Sequence, residues 1–501
     1  MTTIRSERPS CAWVSPSDIN GRIDAVFFHC HYIPLDDALA HFPRPEVKTL
    51  GQLLSNPRRV LYQKTTSYAA EEAPDGSIPF ISGVDLDGRL MTVDWASVRH
   101  VERWMIERYP KGRLTDGSLL IKVKGPNQHT AFITKADRVA LVSGTVFFSG
   151  VRDCNPHYLA AYLSSGPGTA WRSRLRTNTT VEFIGNGELR AVPILTPSAP
   201  LQHHIGEKVR LAELCRAEAD RYWKTAYDAL GDAIGTSLDP STFEPKTPES
   251  VSAPGYAVAS VAPAVARVAP RRIQGYIGAQ FFHPRRAKAL LVIERSGLRT
   301  KRLAELAVRF SRRVGADEMV RLSLPYVGLA QIDPTTGFIS QEGEEKPTGN
   351  SARFGAGDIL FSKLRPYLNK VAICPDHIQH AAGSTELVTY RAREGVDPHT
   401  LFFILKSPLV LNQVIKITSG STHPRVAPDL IDDVAIPLVP SDARDAISSS
   451  TRSALALLHR ATQLVAEAKT DVEALIEGTL DTDAIIAGRL KPPTAEEVLG
   501  A

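Results

Sequence analysis

The stretch "GDILFSKLRPYLNKVAI", Gly357 to Ile373, decides how this chain is read. A turn at Gly357 leads into Ile359, Leu360 and Phe361, and Lys363 and Arg365 follow two residues apart. Residues i and i+2 of a strand share a face. The stretch therefore predicts a buried strand ending in a basic edge, with Lys363 and Arg365 side by side and Lys370 close behind. A looser version, "DGSLLIKVKGPNQHTAFI", occupies Asp116 to Ile133, with Lys122 and Lys124 set against Lys363 and Arg365.

That echo belongs to a longer repeat. "RIDAVFFHCHY" from Arg22 matches "YIGAQFFHPRR" from Tyr276, and "VKTLGQLL" from Val47 matches "TKRLAELA" from Thr300. "IPFISGVDLDGRL" from Ile78 matches "LPYVGLAQIDPTTGFI" from Leu324. "NPHYLAAYLSS" from Asn155 matches "DPHTLFFILKS" from Asp397, and "LRAVPILTPS" from Leu189 matches "IDDVAIPLVPS" from Ile431. The matches keep one order at a displacement of about 240 to 254 residues, too long for a solenoid unit, so each copy is a domain. "HYLAAYLSS" and "TLFFILKSP" predict short helices opening after Asn155-Pro156 and Asp397-Pro398. "DRVALVSGTVFF" and "STELVTYRA" predict strands. The fold class is α+β, written twice.

A long helix follows each copy. After Pro200, Ala212, Ala219, Trp223, Ala226 and Leu230 fall near a 3.5-residue spacing. After Pro440, Ala454, Leu458, Ala461, Val465, Ala468, Val472 and Leu475 alternate steps of four and three. Such seams predict that the two helices pair as an antiparallel coiled coil. The expected layout is a first domain at 1–200 and its helix at 201–234, then a Pro/Ala-rich extended linker at 235–272. The second domain follows at 273–440, its helix at 441–478 and an acidic tail at 479–501. The linker reading rests on six prolines between Gly235 and Arg272.

Charge is unevenly spread. Arg285 to Arg313 holds ten Lys/Arg against two Asp/Glu, while the chain from Glu467 onward holds eight acids against three bases. An anionic partner for one part of the protein fits this pattern. The five cysteines are scattered and form no C-x-x-C pair, which fits a reducing cytoplasm. "HCHY" at His29 to Tyr32 is not read as a metal site, because adjacent residues rarely converge on one ion. The N-terminus lacks an apolar signal core, and no apolar run is long enough to span a membrane. A cytoplasmic protein with no membrane association is expected.

Catalytic signatures are missing. The sequence contains no G-x-x-x-x-G-K-[ST], no H-E-x-x-H and no G-x-S-x-G. Asp333, Glu344 and Lys346 loosely imitate a metal-dependent nuclease, and that enzyme is the rival reading. Polar, cationic loops remain. "TSGSTHPRV" offers Ser421, Thr422, His423 and Arg425, and "WRSRLRTNTTVEF" offers Arg172, Arg174, Arg176, Asn178 and Thr180. Cations of this kind meet phosphates, and amides and hydroxyls can meet base edges.

"GDILFSKLRPYLNKVAI", "GSTELVTYRA" and "TSGSTHPRVAPDLIDDVAIPLVPS", followed by a heptad helix, resemble the specificity subunit of type I restriction-modification systems. "RIDAVFFHCHY" is similar to the opening of each target-recognition half in that family. The resemblance implies two target-recognition domains reading a bipartite site on double-stranded DNA, with no catalysis and no cofactor in this chain. It implies paired helices that set the spacing and dock methyltransferase subunits, here through Val209, Ala212, Trp223, Leu230, Leu458, Val465, Val472 and Leu475. S-adenosylmethionine would sit on those modification subunits, and motor-nuclease restriction subunits would join them. A defence-system adaptor that keeps the scaffold without guiding methylation is the remaining alternative. The first copy departs from the pattern, with "LRTNTTVEFIGNGEL" where the second has "TSGSTHPRVAPDL".

Overall fold

The computed structural model describes residues 33–43, 46–63, 66–68, 73–95, 97–125, 128–177, 181–252, 256–261, 264–270, 273, 278–340 and 349–500. It is a mixed α+β protein in two units, Met1–Arg216 with His459–Ala501, and Ala217–Leu458. Both boundaries fall inside a long helix, Ala199–Ile234 or Ser441–Glu477.

In the first unit the central sheet has strands β1 (Leu54–Arg58), β2 (Ser118–Lys122), β3 (Thr130–Ile133) and β4 (Val146–Val151), in the order β1-β4-β2-β3 and antiparallel throughout. Every residue of β2 and β3 is buried. One face supplies Leu120, Ala131, Ile133, Val146 and Phe148 to a core shared with Leu86 and Val93. The helix Pro156–Ser164 lies on the other side, where His157 meets Phe132 edge-on at 4.9 Å. Coverage on both faces explains why these strands read as continuous apolar runs rather than alternating ones. The helix starts where expected. Pro156 takes the first position, and the Asn155 Oδ1 accepts from the backbone N–H groups of His157 (3.0 Å) and Tyr158 (3.1 Å). Its buried Tyr158 hydroxyl donates to the Leu195 carbonyl at 2.7 Å.

The second unit has strands β5 (Ala307–Phe310), β6 (Ile359–Ser362), β7 (Val371–Ile373) and β8 (Leu387–Ala392). Their order, β5-β8-β6-β7, and their antiparallel pairing match the first sheet. Leu360, Ala372 and Leu387 enter a core with Ile332, Ile339 and Phe354. The helix Pro398–Lys406 is capped by Asp397, whose Oδ1 accepts from the Thr400 N–H at 2.7 Å. Outside the sheets the same frame recurs. Val47–Thr49 pairs with Pro193–Leu195, and Thr300–Arg302 pairs with Ala435–Pro437. The Leu50 N–H donates to Val192 and the Leu303 N–H to Val434.

Within the first unit the two long helices run side by side. The Asp471 carboxylate lies 2.6 Å from the Lys208 ammonium and 3.6 Å from His204 Nε2. Further along, Arg460 acts electrostatically on Cys215. One sequence number rises as its partner falls, so these segments are antiparallel. Val209, Ala212, Trp223, Leu230, Leu458, Val465, Val472 and Leu475 are all buried. Their side chains are therefore spent inside this chain, and an outside subunit would have to meet other helix faces. The docking role that the resemblance implies for these positions is not separable by sequence from burial, because apolar spacing reports burial without saying against what.

The segment expected to be an extended linker is folded. Tyr256–Val261 and Ala264–Val268 form an antiparallel hairpin. Val251, Tyr256 and Val258 are buried and pack with Phe282 and Ala287. The Tyr256 hydroxyl donates to the Phe282 carbonyl at 2.6 Å. In "YAVAS", Tyr256 and Val258 alternate with exposed Ala257 and Ala259, a strand period that the proline count masked.

Candidate nucleic-acid interface

The opening stretch does not form one continuous strand. β6 ends at Ser362. Lys363 donates its N–H to the Glu386 carbonyl at 3.0 Å, and Arg365 donates its own to Pro424 at 2.7 Å. Arg365 sits at φ +47°, the left-handed region, immediately before the one-turn helix Pro366–Leu368. A non-glycine residue there costs about 1–2 kcal/mol, and the Pro424 hydrogen bond helps hold it. Lys363 and Arg365 thus flank a bend instead of sharing a strand face.

Over this bend lies a small hairpin, Thr418–Ser419 with Arg425–Val426. Its tip turns at Gly420, φ +89°, and exposes Ser421, Thr422 and His423. The bend and the hairpin are stitched together. The Val426 N–H donates to Lys363, and an Arg365 Nη2 lies 3.4 Å from the Thr422 carbonyl. Glu386, at the start of β8, is the electrostatic centre of the group. Arg425 grips it through Nη2 at 2.8 Å and Nε at 3.1 Å, and Lys363 Nζ stands 3.9 Å away. The carboxylate holds the Arg425 pKa above its ordinary value. Lys363, Arg365, Arg425 and the tip residues are brought together here. Lys370 points elsewhere, donating to the Ile332 carbonyl. Close by, Lys406 is wholly buried and donates to the carbonyls of Pro334 (2.7 Å) and Asn369 (3.0 Å). Burial lowers its pKa to about 7.

The first unit repeats the frame with different chemistry. The Gly125 N–H donates to Glu182 and the Ile184 N–H to Val123, as Arg365 does to Pro424 and Val426 to Lys363. Lys122 pairs with Val146, as Ser362 pairs with Leu387. Lys122 therefore occupies the place of Ser362 and Lys124 that of Leu364. The expected match of Lys122 and Lys124 with Lys363 and Arg365 is one residue out. A one-residue slip reverses which side chains face the core. Lys122 is accordingly buried, with its pKa lowered by desolvation and by Arg176. Lys124 is exposed.

The cations after Trp171 are interior as well. Arg172 is 1% exposed and donates from Nη2 to the carbonyls of Gln128 (2.6 Å) and Leu163 (2.7 Å). Burial, with Arg176 nearby, lowers its pKa to about 9. Arg174 is buried with its guanidinium 5.0 Å from the Trp171 ring centroid, and Arg176 pairs with Glu182. These three were expected to face a partner. They instead complete a packed helix end, because the helix Gly166–Arg174 is pinned to the core at its far side, where Gly168 lies against the Tyr162 backbone. Asn178 and Thr180 lie outside the described residues.

The nuclease constellation has no described form. Asp333 Oδ1 is occupied by a turn, accepting from the N–H groups of Thr335 (3.0 Å) and Thr336 (2.6 Å). Glu344, Lys346 and the "HCHY" segment lie outside the described residues. Among the described residues no three His, Cys, Asp or Glu groups are arranged to hold a metal ion, and no helix is long and apolar enough to cross a membrane. Two residues that matter, Glu386 and Lys406, were missed. Lys406 had a signal, a single cation in the apolar run "LFFILK". Glu386 had none beyond its place between Ser384 and Leu387.

Among the solved structures that align with the chain are three from type I restriction-modification systems. The type I restriction-modification S subunit from M. genitalium shares 14% identity over 87% of this chain and 95% of that one, with a TM-score of 0.37. The HsdS subunit from Thermoanaerobacter tengcongensis shares 12% over 88% and 100%, with a TM-score of 0.28. A chain from a structure on complex assembly and conformational transition of the type I R-M system shares 13% over 89% and 98%, with a TM-score of 0.26. At these TM-scores the likenesses add no weight. No protein-family model and no curated protein matches the chain.

Proposed function

We propose that this chain is a non-catalytic DNA-reading scaffold, the specificity subunit of a type I restriction-modification complex. One observation carries the reading. Two sheets of identical strand order each hold a polar loop on the same hydrogen-bond frame, at Gly125–Glu182 and at Arg365–Pro424. In this proposal each unit is a target-recognition domain for one part of a split site. Lys363, Arg365, Arg425 and Lys124 meet phosphates, and Ser421, Thr422 and His423 face bases. The long helices pair as a coiled coil over their whole length, set the spacing, and dock methyltransferase subunits that carry S-adenosylmethionine. Restriction subunits join through the same assembly. Two modest readers held on one strut act together through effective concentration.

The test is a map of methylated adenines in cells carrying the modification subunit, with and without this chain. The chain should direct methylation to a bipartite site. One heptad inserted at paired positions of both helices should widen its gap by ~10 Å, or about three base pairs. Methylation that ignores the chain, or a gap that ignores the insertion, overturns the proposal. The buried cations of the first unit give the adaptor reading its support, since a half that reads no DNA would leave methylation unguided there.

A further inference from the structure

A second basic site lies in the second unit, at the other end of β8 from the hairpin. A pocket of about 270 Å³ is lined by Phe310, Arg312, Arg353, Gly355, His380 and Arg391 among others. Leu387 pairs with Ser362 beside the bend, and Arg391 is four residues further along β8. At the usual rise that places it ~13 Å away. The pocket is therefore not part of the loop constellation.

Arg391 is held in place before any ligand arrives. Its Nε and Nη2 meet the two carboxylate oxygens of Asp358 at 2.8 and 2.9 Å. Asp358 is fully buried and also accepts from the Gly355 N–H at 2.8 Å. The Arg391 guanidinium lies 5.0 Å from the Phe310 ring centroid. These contacts leave its Nη1 donors for the pocket. Gly355 closes the wall, since a Cβ there would lie 2.3 Å from the Gln379 carbonyl. Arg353 stands 3.8 Å from Glu318, too far for a hydrogen bond. Arg312 is exposed and has no ion-pair partner among the described residues, and His380 is also exposed. Three guanidiniums thus face two carboxylates, one of them buried and already committed. Guanidinium forks suit the oxygens of a phosphate. The volume falls below the ~300 Å³ of pockets that take drug-sized ligands.

We propose that this pocket binds a phosphate group, either free or carried by a nucleotide or a DNA backbone. The proposal does not rest on sequence reading by the hairpin. Calorimetric titration of the full chain with inorganic phosphate, a mononucleotide and a short duplex tests it. Inorganic phosphate should bind saturably. Arg312→Glu, at an exposed position, should weaken it about tenfold, the loss of one charge-assisted contact. His380→Ala should weaken it less, and Arg425→Ala in the hairpin should leave it unchanged. Competition by the duplex assigns the pocket to DNA backbone, and competition by the mononucleotide alone assigns it to a small phosphate. No saturable phosphate binding, or equal affinity in the native chain and Arg312→Glu, overturns the proposal. A failure of site selection in the methylation map would leave the phosphate result standing, so the two readings fail separately.

Discussion

Replacing Lys406 with Met probes how the second unit holds its basic bend. The ammonium is buried among backbone carbonyls, and Asp333 is the charge that favours it. Its pKa falls from 10.5 to about 7, chiefly by desolvation. At ~1.36 kcal/mol per unit, this opposes folding by about 5 kcal/mol wherever the side chain is charged in both states. Between pH 7 and 10.5 the unfolded chain binds more protons than the folded one, so stability rises with pH across that window. The full penalty is present below about pH 7. From pH 7 to 9 the gain is about 2 kcal/mol, because the folded form is already half-deprotonated at the lower end. Met removes the titrating group and nearly keeps the volume. It also leaves the Pro334 carbonyl without a donor, at about 1–3 kcal/mol, while the Asn369 carbonyl keeps the Val371 N–H at 2.8 Å. The two effects oppose near pH 7, so the pH dependence is the decisive quantity. Urea unfolding of both proteins across that range should give a curve flatter by about 2 kcal/mol in Lys406→Met. Other groups titrate alike in both and cancel. Parallel curves would refute the buried-ammonium argument.

Three further substitutions test the interface and the interior cations. Glu386→Ala removes the carboxylate shared by Arg425 and Lys363, freeing both for phosphate. Duplex binding should tighten, and its log–log salt slope should steepen by about one to two. An unchanged slope would mean that these cations do not meet DNA. Arg172→Ala should lower stability by about 3 kcal/mol in thermal or urea unfolding, since it empties a buried volume and strips the donors from Gln128 and Leu163. Lys124→Ala should leave the melting temperature in place and weaken duplex binding. The opposite assignment of effects would place Arg172 at the surface.

Much of the architecture is legible along the chain. Asn155-Pro156 and Asp397-Pro398 announce their helices because a cap acts on the next three residues. The strands Val146–Val151 and Leu387–Ala392 follow from β-branched and aromatic runs. The 256–268 hairpin was legible too, but its two-residue period was outweighed by surrounding prolines. The bend at Arg365 was half visible. Pro366 marked a break, yet the left-handed turn depends on Pro424, which lies far away in sequence. The interface was less legible than the fold. Arg172, Arg174 and Arg176 look like Lys363, Arg365 and Arg425 as letters, and they have the opposite fate.

The sequence by itself determined the mixed α+β class, where the capped helices begin, and which residues of the two long helices are buried. These are consequences of local caps and of periodicity, which neighbouring residues settle among themselves. Only the tertiary structure decided which cations meet water, that Lys122 stands in the place of Ser362, that Glu386 governs Arg425, and that Arg312, Arg353 and Arg391 line one pocket. Each depends on pairing between distant strands, where a shift of one residue turns a side chain from solvent to core.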